Sequence, residues 1–238
     1  MIDLFYYKSS TCSQKVQLAL FEKGLDFTAH HIDLAKGEHL TPAYLKMNPN
    51  GVVPTLRHDG QVITDSSVIM EYLDEAFPEP ALSGRAPLER ARIREWLRFI
   101  EEVPTVAVRI PSFKQVLLDR TAHLTAEQRR AQADRRPLRQ QFYRSMEEGI
   151  SDDRQAEALQ RLSMTIARMD GALTQYPWLC GSHITIADLA LIPTFDRLEN
   201  LGHAKLWQEL RSVSRWWQAC NARGSFAKVF VPGVRLVE

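Results

Sequence analysis

Apolar and polar positions change period several times along the first 80 residues. Ile2 to Tyr7 is dense in β-branched and aromatic residues and predicts a strand in a packed sheet. Val16, Ala19, Leu20 and Phe21 then recur at helical spacing, and Gly24 after Lys23 marks the end of that helix. Phe27 to Leu34 predicts a second strand, and Leu40 to Met47 a short helical or irregular piece. Val53 to Arg57 and Gln61 to Thr64 flank the turn His58-Asp59-Gly60, which predicts a hairpin. A helix over Ser66 to Ala76 stops ahead of Pro78 and Pro80. The order βαβ then ββα calls for a small mixed sheet with helices on its faces.

Phe77 to Arg85, with two prolines and a glycine, reads as a linker, and beyond it strand patterning stops. Leu88, Ala91, Trp96, Leu97, Ile100 and Val103 share one helix face, with Pro87 at its start. Leu159, Leu162, Ile166, Met169 and Leu173 step by three and four, as do Leu206, Leu210, Val213 and Trp217. The expectation is two domains, an α/β domain over 1–80 and an all-helical one over 87–238.

The 238 residues are enough for two cores. Thirty basic residues face 29 acidic ones, so nothing in the overall charge calls for nucleic acid or an anionic membrane. Asp119 to Glu148 holds seven arginines against five acids; with the whole chain near neutral, it reads as a solvated, partly helical excursion rather than a nucleic-acid arm. Cys12, Cys180 and Cys220 form neither a disulfide framework nor a zinc pattern. Met1-Ile2-Asp3-Leu4 does not read as a signal peptide, and no apolar run approaches the roughly 20 residues that span a bilayer. The expected location is the cytoplasm.

Three segments have residues suited to chemistry. Ser9-Ser10-Thr11-Cys12-Ser13-Gln14 opens the first helix, where exposed amides favour an anion and lower a thiol pKa; Thr11 with Gln14 also reads as a plain capping box. Asn48-Pro49-Asn50-Gly51-Val52-Val53-Pro54-Thr55-Leu56 places a proline at a strand start. There a cis bond would turn the Val53 backbone toward an extended peptide, and a trans bond would leave an ordinary turn. Asp65 and Ser66 open the third helix and suit an ammonium and a carboxylate respectively, or serve as caps.

Taken in this order, those segments resemble the glutathione-binding domain of glutathione transferases, and Trp178 to Leu189, with Thr185 and Asp188, resembles a segment of the family's helical half. The resemblance implies a thioredoxin-like front domain with a four-stranded mixed sheet, glutathione as cosubstrate, no metal, and a homodimer. It implies Ser10 as the donor to the glutathione sulfur, with Ser13 and Cys12 as alternates. It also implies Val53 and cis-Pro54 as the backbone clamp, Asp65 and Ser66 on the γ-glutamyl end, and His39 near the glycyl carboxylate. Val52 departs from the pattern, because relatives often carry lysine or glutamine there; His39 or Lys15 would have to compensate.

The implied activity is transfer of glutathione thiolate onto a small hydrophobic, aromatic electrophile, against a wall drawn from Trp96, Phe99, Val103, Val106, Ile110 and Phe113. The run into Trp96 and the insertion through Pro137 and Phe142-Tyr143-Arg144 resemble the bacterial β-aryl etherases, which displace an aryl ether group. Rival readings are a Cys12 thiol–disulfide reductase and a non-catalytic binding module.

Overall fold

The computed structural model describes residues 1–146 and 149–237. The last two residues of the Asp119–Glu148 excursion, and the last of the expected helical domain, lie outside them. The front half runs β1 (Ile2–Tyr6), α1 (Thr11–Glu22), β2 (Thr28–His31), α2 (Pro42–Met47), β3 (Thr55–His58), β4 (Gln61–Thr64) and α3 (Ser66–Ala76). The sheet order is β2-β1-β3-β4, with β1 parallel to β2 and the β3–β4 hairpin antiparallel. This is the expected mixed four-stranded, thioredoxin-like sheet. The second strand is shorter than its apolar run, because Asp33 Oδ1 accepts the amides of Ala35 and Lys36 and turns the chain.

The back half is helical: α4 (Pro87–Glu102), α5 (Pro104–Ala107), α6 (Arg109–Ser112), α7 (Ala126–Asp134), α8 (Gln140–Arg144), α9 (Asp152–Gln175), α10 (Ile186–Asn200), α11 (Arg211–Asn221) and α12 (Gly224–Val229). The periodic run expected as one helix from Leu206 is interrupted. A 3₁₀ turn covers Ala204–Leu206 and α11 starts after Leu210, since Trp207 and Gln208 carbonyls accept the Ser214 hydroxyl. Among the described residues no helix is long and apolar enough to cross a membrane.

Helix α10 is the central strut, buried over most of its length. Its start is held by Asp188, which accepts from the amides of Leu179 and Thr185, the Thr185 hydroxyl and the Trp216 indole at 2.9–3.0 Å. At its far end Arg197 donates to the Ser9 carbonyl at 2.5 Å and to Ser112 Oγ at 3.2 Å, tying the loop before α1 to α6.

A second tie crosses the halves beneath α1. The Lys15 ammonium is fully buried and donates to Glu101 Oε1 at 2.6 Å and Thr105 Oγ1 at 3.0 Å; Glu101 also accepts from Ser67 Oγ at 2.9 Å. Burial pushes the Glu101 carboxyl up, but the Lys15 charge and the hydrogen bonds from Lys15 and Ser67 outweigh it and hold it below its usual range. Lys15 retains 1% side-chain exposure and Glu101 31%, so loss of the two partners has unequal cost. Glu101→Ala strands an ammonium with no water and should destabilise by about 3 kcal/mol, whereas Lys15→Met leaves a carboxylate that reaches solvent and should cost about 1 kcal/mol. Urea unfolding of the two variants checks the order.

Candidate active site

The site is built around the entrance to α1. The N-cap is Ser10, whose Oγ accepts the Ser13 amide at 3.3 Å. The Thr11–Gln14 box does not form; Gln14 Nε2 instead donates to the Lys8 carbonyl at 3.1 Å. A hydroxyl that caps by accepting keeps its proton for another acceptor, and the exposed amide end of α1 favours that acceptor being an anion. Ser13 is fully buried, with Oγ accepting the Tyr7 amide at 3.3 Å. Cys12 is a free, half-buried thiol in the first turn.

Beside this entrance lies the 48–54 loop. Tyr44 Oη and Asn48 Nδ2 both donate to the Val52 carbonyl, at 2.8 and 2.9 Å. The Val53–Pro54 bond is cis, and neither the N–H nor the C=O of Val53 is hydrogen-bonded among the described residues. Asp65 leads from β4 into α3 at φ 70° and caps that helix, with Oδ1 accepting the amides of Ser67 and Val68 at 2.9 and 3.2 Å. A non-glycine residue in that backbone region stores roughly 1–3 kcal/mol, a cost that concentrates at ligand clamps. Ser66 is buried, and its hydroxyl has no partner among the described residues.

Most of the arginine-rich excursion is exposed and partly helical, as expected, but one turn of it folds back onto the 48–54 loop. Pro137 packs against Gly51 (φ +58°), where an added Cβ would lie 3.1 Å from the proline ring. This brings Arg136, Arg139 and Tyr143 into a cavity of about 60 Å³ with Ser10, His39 and Val53. Arg136 stacks its guanidinium on the Tyr143 ring, 4.0 Å from the centroid, and donates from Nη1 to His39 Nε2 at 3.0 Å. Guanidinium only donates, so Nε2 is the acceptor and the imidazole proton sits on Nδ1. His39 Nδ1 and Arg136 Nε are both buried without a partner. Each such stranded donor costs roughly 1–3 kcal/mol. Lys15, the other candidate to compensate for Val52, is committed to Glu101.

On the other side of Tyr143 the lining is aromatic. Phe113, Phe142 and Tyr143 meet edge-to-face with centroids 5.2–5.6 Å apart. They adjoin a second cavity of about 60 Å³ whose wall includes Phe113, Leu118, Tyr143 and Met146. Of the expected wall, Phe113 reaches this region. Trp96 and Phe99 instead lie under the Arg168 guanidinium, which α9 supplies, and Ile110 is core. Arg109, Arg136, Arg139, Phe142 and Tyr143 were not among the expected site residues. The signal for Arg136 and Arg139 was an excess of cations over acids in the Asp119–Glu148 segment of a neutral chain; Arg109 lies outside that segment.

Among the described residues no group of histidine, cysteine and carboxylate side chains is placed to hold a metal. Burial, followed by the charges of Arg136, Arg135 and Arg139, holds His39 down to about 4 from 6.5. In the unfolded chain it takes up a proton near 6.5, while the fold keeps it neutral to about 4, so stability falls as pH drops through that window. His39→Gln should flatten this acid limb; urea unfolding of both proteins at ~pH 7 and ~pH 4 measures it.

Comparison with known proteins agrees with this geometry. Residues 9–76 match the glutathione S-transferase N-terminal domain and residues 130–224 its C-terminal domain. The protein LigF of Sphingobium sp. strain SYK-6 is 27% identical over 242 residues, covering 96% of this chain and 93% of LigF. The crystal structure of that β-etherase superposes with TM-score 0.87 at 25% identity, over 96% of this chain and 98% of the other. Glutathione S-transferase TCHQD of Arabidopsis thaliana is 27% identical over 239 residues, covering 96% of this chain and 89% of its own. Human glutathione transferase theta-2, solved with glutathione, shares the fold at TM-score 0.78 and 21% identity, over 96% and 84% of the two chains. With both domain matches in their expected halves and a full-length likeness to LigF, the chain belongs to the glutathione transferase superfamily and lies close to its bacterial β-etherase branch.

Proposed function

We propose that the protein is a glutathione-dependent enzyme that cleaves aryl ethers, the thiolate displacing an aryl oxide from carbon. The observation that carries this reading is one cavity lined by Ser10, by Val53 with its unpaired backbone, and by His39 and Arg136. The tripeptide would extend from this cavity toward Asp65 and Ser66, which follow the Thr64 that pairs with Thr55 beside Pro54. The γ-glutamyl end lies on Asp65 and Ser66, the cysteinyl unit pairs with Val53 beside Pro54, and the glycyl carboxylate takes the His39 and Arg136 donors. The sulfur comes to Ser10, whose hydroxyl donates to it at the positive end of α1. Each unit by which a thiol falls below about 8.5 requires about 1.4 kcal/mol of preferential thiolate stabilisation, within reach of one such hydrogen bond and a helix end. Ser13, buried on the Tyr7 amide, is read as structural, and Cys12 as the less favoured alternate.

General conjugation of an aromatic electrophile, the broader expectation from the sequence, would use the same thiolate. Full-length similarity to a β-etherase favours ether cleavage. A homodimer and a reducing, cytoplasmic setting belong to this reading, the latter supported by three free cysteines. Incubation with glutathione and an alkyl aryl ether should release the phenol with formation of a thioether; thioether formation confined to activated halides would reject the reading. Ser10→Ala should lower kcat by about 10²-fold with little change in glutathione Kd, as for loss of one oxyanion donor. Arg136→Ala should weaken glutathione binding about 10-fold. The same variant should leave the affinity for glutathione amidated at its glycine unchanged, and calorimetry reads both.

A further inference from the structure

We infer that Arg109 is a catalytic residue for ether cleavage: its guanidinium receives the aryl oxide as the carbon–oxygen bond breaks. This rests on the ether-cleaving reading above. The placement follows from register. Lys15 on α1 meets Thr105, and Arg197 bridges the Ser9 carbonyl to Ser112. The chain from Ser9 to Lys15 therefore runs antiparallel to the chain from Thr105 to Ser112, and the middle of one, Cys12, faces the middle of the other, Arg109. Arg109 interacts electrostatically with Arg139 first, then with Cys12, Glu101 and Tyr143, which agrees with that register.

The Arg109 side chain has no hydrogen bond and no ion pair among the described residues; its guanidinium lies 5.9 Å from the centroid of the Phe142 ring. The other cations nearby are used differently. Lys15 is neutralised by Glu101, Arg136 holds His39, and Arg139 lines the carboxylate-sized cavity. Arg136 also stacks on Tyr143, but its guanidinium is engaged with His39; the Arg109 guanidinium stands over Phe142 with no hydrogen-bond partner among the described residues, beside the turn of α1 that receives the sulfur. A substrate ring lying on that cluster would present its ether oxygen to five unsatisfied N–H donors.

The step balances without a further reagent. The thiolate forms a carbon–sulfur bond as the carbon–oxygen bond breaks; the aryl oxide leaves with the electron pair, is held by Arg109, and takes a proton from water on release. An enzyme so equipped does not need an activated leaving group. The substrate class is therefore aryl ethers of ordinary phenols, with pKa about 10 like the tyrosine phenol.

The test is the rate of phenol release, with saturating glutathione, from a series of aryl ethers ranging from ordinary phenols to acidic nitrophenols. Wild type, Arg109→Met and Arg109→Lys are compared. Arg109→Met should lose about 10²-fold on ordinary phenols and only a few-fold on nitrophenols, so that its rates depend more steeply on phenol acidity. Arg109→Lys should recover part of the loss, and glutathione Kd should stay within about twofold in both. An equal loss across the series, or a weakened glutathione Kd, overturns the assignment while leaving ether cleavage intact. A wild type that releases no phenol from any member, yet binds glutathione, overturns the ether-cleaving reading and this inference with it. Should Arg109→Met fold poorly, the slope measured for Arg109→Lys decides, since a purely structural arginine would leave it at the wild-type value.

Discussion

A buried ammonium in the middle of α1 is the constraint on which the site depends. The Lys15 side chain is buried, and its ammonium donates to Glu101 and Thr105, whose removal would leave a buried charge unpaired. Those partners belong to α4 and α5, and Glu101 is also held by Ser67 of α3. One charge thus fixes the helical half against the sheet half at the level of the first turn of α1. Arg197 fixes the same junction one turn away, from the Ser9 carbonyl to Ser112. Between these two clamps the entrance of α1 has little freedom, which is what an anion site built from backbone amides requires.

Charge in this protein is uneven although the total is near zero. Acids next to the cleft are either committed elsewhere, as Glu101 is to Lys15, or, like Asp65, placed at the end where an ammonium is expected. Arg136 and Arg139, from the turn between α7 and α8, line the cavity beside His39. Burial and their charges keep His39 neutral, so its Nδ1 proton remains available as a donor at neutral pH. The result is a cation-rich cavity wall on the His39 side. The thiols away from the cleft take no part: burial, reinforced by Asp188, pushes Cys180 up to about 12 and Cys220 well above its ordinary value.

The sheet, the hairpin and the residues Ser10, Val53, Pro54, Asp65 and Ser66 were legible because each lies within a few residues of the strand end or helix start that positions it. Boundaries moved where a side chain intervened, as Asp33 does after β2. The N-cap moved from Thr11 to Ser10 for a similar reason, with Gln14 drawn to the Lys8 carbonyl. What was not legible is the far wall. Arg136, Arg139 and Tyr143 lie some 90 residues beyond His39 and Val53 in the chain, and only the seating of Pro137 on Gly51 brings them there. An arginine-rich segment looks the same in sequence whether it is solvated or folded over a cavity. Likewise the periodicity that puts Trp96 on a buried helix face does not show that Arg168 covers it.

The account centres on one anion: the sulfur of a bound tripeptide held at Ser10 and the first turn of α1. Its most direct measurement is the thiolate absorbance of glutathione titrated with pH in complex with the enzyme, against Ser10→Ala and against glutathione alone. The account predicts that bound thiol ionises well below its free value of about 8.5 in the wild type and reverts toward it in the variant. A bound thiol that titrates as in free solution, with the wild type and Ser10→Ala indistinguishable, would contradict it.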